Sequence, residues 1–151
     1  MKTVLLSDTE ADLQQAAAWI QKGEVVGMPT ETVYGLAADA CNPEAVRKVF
    51  AAKGRPADNP LIVHISEMKQ LPLLVESIPD LACRLAKRFW PGPLTMILPK
   101  KSCIPSITSG GLDTVGIRMP SHPIARRLIT LSGTAIAAPS GNRSGYPSPT
   151  T

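Results

Sequence analysis

The 151-residue chain has little of what marks several protein classes. Its three cysteines, Cys41, Cys83 and Cys103, are odd in number and widely spaced. They build neither a disulfide framework nor a Cys-x-x-Cys metal pair, and they suit reduced thiols in a cytoplasmic protein. No apolar run approaches the ~20 residues that a membrane helix needs. Val4-Leu5-Leu6 is too short for a secretory signal core, and acidic Asp8, Glu10 and Asp12 follow it, so no leader is expected. Three familiar motifs are missing: Gly-x-x-x-x-Gly-Lys-Ser/Thr, Gly-x-Gly-x-x-Gly behind a strand, and His-Glu-x-x-His. The two histidines, His64 and His122, are too isolated to imply a metal site. Charged residues make up only 19% against 44% hydrophobic ones, which excludes extensive disorder.

What is present fits one domain with one sizeable core. The formal net charge of +4 suits anionic partners such as nucleotides or RNA, although many plain cytosolic proteins are equally basic. Fifteen prolines and eleven glycines cluster in stretches that also carry Thr, Ser, Asn and Arg. Such loops present amides and small polar side chains on a rigid backbone.

Ser7-Asp8-Thr9-Glu10 reads as a capping box that opens a helix over 8–21, with Leu13, Ala16, Ala17 and Ile20 inward and Gly23 at its end. A buried strand follows over 24–28, and Pro29-Thr30-Glu31-Thr32 breaks it into a loop. Residues 33–40 read as a strand or a tight turn. Asn42-Pro43 caps a helix over 44–53 that buries Val46, Val49 and Phe50 and stops at Gly54. A strand over 61–65 precedes a short helix over 67–75. Residues 80–90 form an amphipathic helix with Leu81, Leu85 and Phe89 on one face. Strands over 94–98 and 114–119 flank a Ser/Gly-rich loop. Ser121 caps a helix over 123–131, and a last strand covers 134–138. The irregular alternation predicts an α/β sandwich with a mixed sheet rather than a doubly wound parallel one. No helix follows to cover the last strand, so residues 1–151 are expected to be one domain that is incomplete at its C-terminal side.

Four polar clusters lie at predicted element ends, where α/β sheets bind ligands. Thr30, Thr32 and Tyr34 surround a tight turn that can hold a small polar ligand or be an ordinary turn. Lys53-Gly54-Arg55, with Asn59 beyond, can grip phosphates or a carboxylate, or be a solvated helix end favoured by the helix dipole. His64 shares a strand face with Ile62, as a ligand group or as a core residue. Arg118, with Ser140 and Asn142, offers a cation, a hydroxyl and an amide for phosphate or for Mg²⁺-linked oxygens. No nucleophile–base pair stands out, and adenylyl transfer by positioned cations needs none.

Six motifs then occur in order: Pro-Thr-Glu-Thr-Val-Tyr-Gly-Leu at 29–36, Lys-Gly-Arg-Pro at 53–56, Asn-Pro-Leu-Ile-Val-His at 59–64, Trp-Pro-Gly-Pro-Leu-Thr at 90–95, Gly-Ile-Arg-Met-Pro at 116–120 and Ser-Gly-Asn-Arg-Ser-Gly at 140–145. Together they closely resemble the YrdC-like threonylcarbamoyl-AMP synthases. The resemblance implies a central mixed, twisted sheet flanked by helices, with a basic concave face. It implies a nucleotidyltransferase that makes threonylcarbamoyl-AMP and pyrophosphate from L-threonine, bicarbonate and ATP, with Mg²⁺ on the ATP, for tRNA t6A37 modification. Lys53 and Arg55 then match catalytic positions. Thr30, Thr32, Tyr34, Arg55 and His64 match the threonine side, and Lys53, Asn59, Arg118, Ser140 and Asn142 match the nucleotide side. Implied partners are tRNA or double-stranded RNA and the t6A transferase complex that accepts the product, in the cytoplasm and away from membranes. Ser-Gly-Asn replaces the more usual Ser-Ala-Asn, which keeps Ser140 and Asn142. The competing reading is a non-catalytic RNA-binding or ribosome-associated module of the same fold.

Overall fold

The computed structural model describes residues 9–29, 34–54 and 59–139. The first helix, α1 (Glu10–Gln21), is capped by Thr9, whose Oγ1 accepts the Asp12 amide at 3.3 Å. The capping box expected from Ser7 thus gives way to a start two residues later, and Ser7 itself lies outside the described residues. Leu13, Ala16, Ala17 and Ile20 are buried as the helical period predicts. Strands β1 (Val26–Pro29) and β2 (Tyr34–Asp39) follow. Helix α2 (Pro43–Lys53) begins where the Asn42 side chain accepts the amides of Glu44 and Ala45. It ends where Gly54 takes a left-handed φ of 66°, which a side chain would resist.

The second half holds β3 (Ile62–His64), a 3₁₀ turn (Met68–Gln70), α3 (Leu71–Leu74), α4 (Asp80–Phe89), β4 (Thr95–Pro99), α5 (Ser106–Ser109), β5 (Thr114–Arg118), α6 (Pro123–Ser132) and β6 (Ile136–Ala137). Three expectations are corrected. The Ser/Gly-rich stretch before β5 holds a short helix, α5, because the fully buried Thr108 hydroxyl donates to the Ala40 carbonyl at 2.8 Å. His122 caps α6 in place of Ser121, its Nδ1 accepting the Ile124 amide at 3.2 Å. On α4 the expected stripe faces the core only in part: Leu85 packs against the large core beside buried Ala82 and Ala86, while Leu81 and Phe89 are 59% and 47% exposed.

The six strands form one mixed sheet in the order β1-β2-β6-β3-β5-β4. Every neighbouring pair is antiparallel except β3–β5. One face packs Val63, Met96, Leu98, Val115 and Ile117 into a large core shared with α2 and α4. On the other face, α1 and α6 cover Met28, Ala37, Ile136 and Ala138 in a second, smaller core. These two helices are joined at the surface by the Glu10–Arg127 ion pair, which holds the Glu10 carboxyl below the usual range. No helix among the described residues is long and apolar enough to cross a membrane.

His64 closes β3 at 1% exposure, and neither ring nitrogen has a hydrogen-bond partner among the described residues. Burial pushes its pKa down to about 4, opposed by the backbone at Ile62 and Ile136. The native ring is therefore neutral near pH 7, while the unfolded ring titrates near its ordinary value. Between those two values the unfolded state binds more protons. The stability contributed by the neutral ring is full above about pH 6.5 and is lost as pH falls toward about 4. The loss is on the order of 3 kcal/mol. Chemical denaturation at pH 7 and pH 4.5 should show this fall in the parent chain and a flatter dependence in His64→Gln; equal slopes in both would contradict it. Ile117, fully buried on β5, tests the large core: Ile117→Ala should cost about 2–5 kcal/mol in the same experiment.

Candidate functional site

The face that α1 and α6 cover over β1, β2 and β6 continues over β3, β5 and β4, where no helix among the described residues packs on it. The register fixes which residues it presents. Ile62 lies beside Gly116 and His64 beside Arg118 in the parallel pair. Ile97 lies beside Gly116 and Thr95 beside Arg118 in the antiparallel pair. Alternation puts all six on one face. Ile97 is 70% exposed and Ile62 is 37% exposed, so the middle of this face is open. Gly116 keeps it shallow, since a Cβ there would come within 3.1 Å of Thr95 Cγ2.

At one end of the open face stand His64 and Arg118. Arg118 is 8% exposed, and its Nε donates to the Gly92 carbonyl at 3.4 Å. Burial lowers the guanidinium's pKa from its usual value, but at neutral pH it is still a cation held in a poorly solvated place. The Trp-Pro-Gly-Pro stretch supplies that place. Trp90 Nε1 donates to the Leu94 carbonyl at 2.8 Å, and the Gly92 amide donates to the Met119 carbonyl at 2.8 Å. A Cβ on Gly92 would lie 2.5 Å from the Phe89 carbonyl oxygen, so only glycine fits this turn. The Pro-Gly-Pro run directly after a helix reads as that helix's end, and the structure gives it a further task, to hold Arg118.

At the start of β3 other motifs converge. Pro29 and Tyr34 are register partners across the β1–β2 hairpin. The Leu36 amide donates to the Pro139 carbonyl at 3.0 Å, and a Cβ on Gly35 would approach that same oxygen to 3.0 Å. The Ala138 amide donates to the Ile62 carbonyl at 3.3 Å. Exposed Asn59 lies just ahead of β3. The strand ends that flank 30–33 and the one that precedes 140 therefore adjoin one another beside the start of β3. Thr30, Thr32, Arg55, Ser140 and Asn142 lie outside the described residues, and Tyr34 is placed through its backbone alone. Lys53 occupies the last turn of α2 at 2% exposure. That burial rules out the solvated helix end, because an ammonium taken from water must be held by acceptors or an anion.

A second concavity, about 330 Å³, lies past the ends of β3 and β5 and is lined by Ser66, Glu67, Ser121, Arg126, Arg127 and Thr130. Its polar groups largely serve one another: Thr130 Oγ1 donates to Ser66 Oγ at 2.9 Å, Arg126 Nη2 donates to the Ser66 carbonyl at 3.4 Å, and Arg127 pairs with Glu10. Among the described residues no three His, Cys, Asp or Glu side chains gather as a metal site would require.

Comparison with known proteins bears on the open face. The chain is 57% identical over 141 residues to the threonylcarbamoyl-AMP synthase of Pyrococcus abyssi, covering 93% of this chain and 42% of that one. It is 56% identical over 147 residues to the threonylcarbamoyl-AMP synthase of Bacillus subtilis, covering 96% of this chain and 42% of that one. The chain thus spans about two fifths of the length of these curated relatives. The crystal structure of P. abyssi Sua5 complexed with L-threonine matches its fold with a TM-score of 0.91 at 57% identity, over 93% of this chain and 42% of that chain. The crystal structure of Escherichia coli YciO matches with a TM-score of 0.77 at 25% identity, over 87% of this chain and 64% of that chain. A model of the Sua5/YciO/YrdC proteins, described as telomere recombination, matches residues 18–151. The match spans all six ordered motifs together with the mixed sheet: the chain belongs to the Sua5/YciO/YrdC family.

Proposed function

We propose that the chain is the substrate-binding part of an L-threonylcarbamoyladenylate synthase, which joins L-threonine, bicarbonate and ATP into threonylcarbamoyl-AMP and pyrophosphate. The observation that carries this reading is the fold-wide match to a Sua5 structure complexed with L-threonine, at 57% identity, with His64 and Arg118 side by side on the open face.

The chemistry asks for positioned charge rather than a protein nucleophile. The threonine amine adds to the bicarbonate carbon with loss of water, giving a carbamate. A carbamate oxygen then attacks the α-phosphorus of MgATP, and pyrophosphate leaves. Negative charge grows on the phosphoryl oxygens and the leaving group, so fixed cations in a poorly solvated site lower the barrier. Lys53, buried at the end of α2, and Arg118, held by Gly92, suit that task. Arg55 suits the threonine carboxylate, which its planar fork can hold bidentately. Thr30, Thr32, Tyr34 and His64 complete the threonine side of this reading, and Asn59, Ser140 and Asn142 the nucleotide side. A neutral His64 ring offers one donor and one acceptor, which matches a threonine hydroxyl better than an imidazolium would. Mg²⁺ arrives on the ATP phosphates with most of its own water and needs no cage of protein carboxylates. The product serves tRNA t6A37 formation, and the net charge of +4 is compatible with a tRNA partner in the cytoplasm.

The test is pyrophosphate release from MgATP, with threonine and bicarbonate supplied together or singly. Release should require both, and release indifferent to either would overturn the synthase reading. If the protein only bound RNA, affinity would fall steeply with salt and no pyrophosphate would appear in the assay, on this chain or on one extended to the length of its relatives. Arg55→Ala and Lys53→Met should each lower turnover by about 100-fold or more while circular dichroism and melting temperature stay close to the parent. Near-parent rates in both would remove these cations from the site.

A further inference from the structure

Neither nitrogen of the buried His64 ring has a hydrogen-bond partner among the described residues. Packing and the backbone that carries the ring therefore set where it stands. That backbone has little support of its own. Strand β3 is three residues long, and just past its end the Ile65 amide donates to the Arg118 carbonyl at 3.0 Å. The chain then turns at Ser66, which is 4% exposed, and runs through Glu67, Met68 and Lys69, which are all exposed.

One side chain closes this turn. Gln70 Oε1 accepts the Ser66 amide at 2.7 Å, the Glu67 amide at 3.1 Å and the Ser66 hydroxyl at 3.2 Å. The neighbouring Leu71 is fully buried in the large core and anchors Gln70 there. Helix α6 holds Ser66 from the other side. Thr130 Oγ1 donates to the Ser66 hydroxyl at 2.9 Å, and Arg126 Nη2 donates to the Ser66 carbonyl at 3.4 Å. Without Gln70 the amide of a buried residue loses its acceptor, which folded chains avoid. The Lys69–Glu67 ion pair at 3.1 Å is largely exposed and too weak to take over.

We propose that Gln70 is a positioning residue for the synthase reaction: its amide oxygen fixes the exit of β3 and, through it, the place from which His64 meets L-threonine. The substrate in this inference rests on the synthase reading, whereas the hold on His64 is testable without it. In each of its three bonds Gln70 accepts. A carboxylate of the same length does the same work, and a thioether does not. The Arg118 guanidinium is held separately, by the Gly92 carbonyl. Loss of the Gln70 oxygen therefore disturbs the threonine side and spares the nucleotide side.

The experiment compares the isotopically labelled parent chain with Gln70→Met and Gln70→Glu, each shown to be folded by circular dichroism. The His64 ring is followed by NMR, first without ligand and then through titrations with L-threonine and with MgATP in the presence of bicarbonate. In Gln70→Met the ligand-free ring resonances should move from their parent positions. The half-saturating L-threonine concentration should rise about 10-fold or more. The half-saturating MgATP concentration should stay within about twofold of the parent. Gln70→Glu should restore the parent spectrum and the parent threonine dependence. If Gln70→Met does not fold, Gln70→Asn takes its place, with its oxygen drawn back by one methylene and the same result expected. Lower stability with an unmoved His64 ring and parent-like threonine dependence would overturn the proposal, since Gln70 would then only close a turn. Equal rises for L-threonine and MgATP would also overturn it. A parent chain indifferent to L-threonine would overturn the synthase reading instead, and the ligand-free spectra alone would then decide whether Gln70 holds His64.

Discussion

One strand pairing organises the candidate site: the parallel pair β3–β5 inside an otherwise antiparallel sheet. Because these strands run the same way, both end at the same edge, and His64 and Arg118 fall on one rung and one face. Had β3 and β5 run in opposite directions, the ends of the two strands would lie at opposite edges of the sheet. The remaining layers serve this pair. Val63 and Ile117 anchor it from beneath in the large core, while α1 and α6 cover the neighbouring strands and stop short of it. The result is a sheet whose half without helices among the described residues carries a buried neutral histidine, a poorly solvated arginine and two exposed isoleucines.

Placing polar side chains here costs stability. The His64 ring has no hydrogen-bond partner on either nitrogen among the described residues, a state that folded proteins rarely tolerate without a reason. Arg118 is a cation withdrawn from water, as is Lys53 at the end of α2. Groups of this kind gather where a ligand completes their interactions. The Gly92 turn shows the same economy in the backbone: its only allowed residue brings a carbonyl to Arg118 and fixes the guanidinium from behind.

Much of this was legible in the sequence where the determinant is local. Asn42, Pro43 and Gly54 bound α2 to within one residue, and the alternation in 61–65 told the core face of β3 from its open face. The mixed sheet followed from irregular alternation of elements. Reading failed where long-range packing decides. The start of α1 moved to Thr9 and the cap of α6 to His122 because several nearby residues could each have capped. Helix α5 exists because Thr108 satisfies a carbonyl from another element, and on α4 Ala82, Leu85 and Ala86 face the core while Leu81 and Phe89 stay exposed. In the site, the order of motifs identified the family, but neither the rung shared by His64 and Arg118 nor the Gly92 support could be read without the register.

The central claim is that the rung of His64 and Arg118 joins the threonine side of a synthase site, at His64, to its nucleotide side, at Arg118. Its most direct measurement is the NMR spectrum of the His64 imidazole in the isotopically labelled chain during titration with L-threonine in the presence of MgATP and bicarbonate. The account predicts that the His64 ring resonances shift saturably with L-threonine and much less with L-valine, which lacks the hydroxyl, while the exposed-side His122 ring stays put. Threonine-dependent pyrophosphate release with an unchanged His64 ring would contradict it.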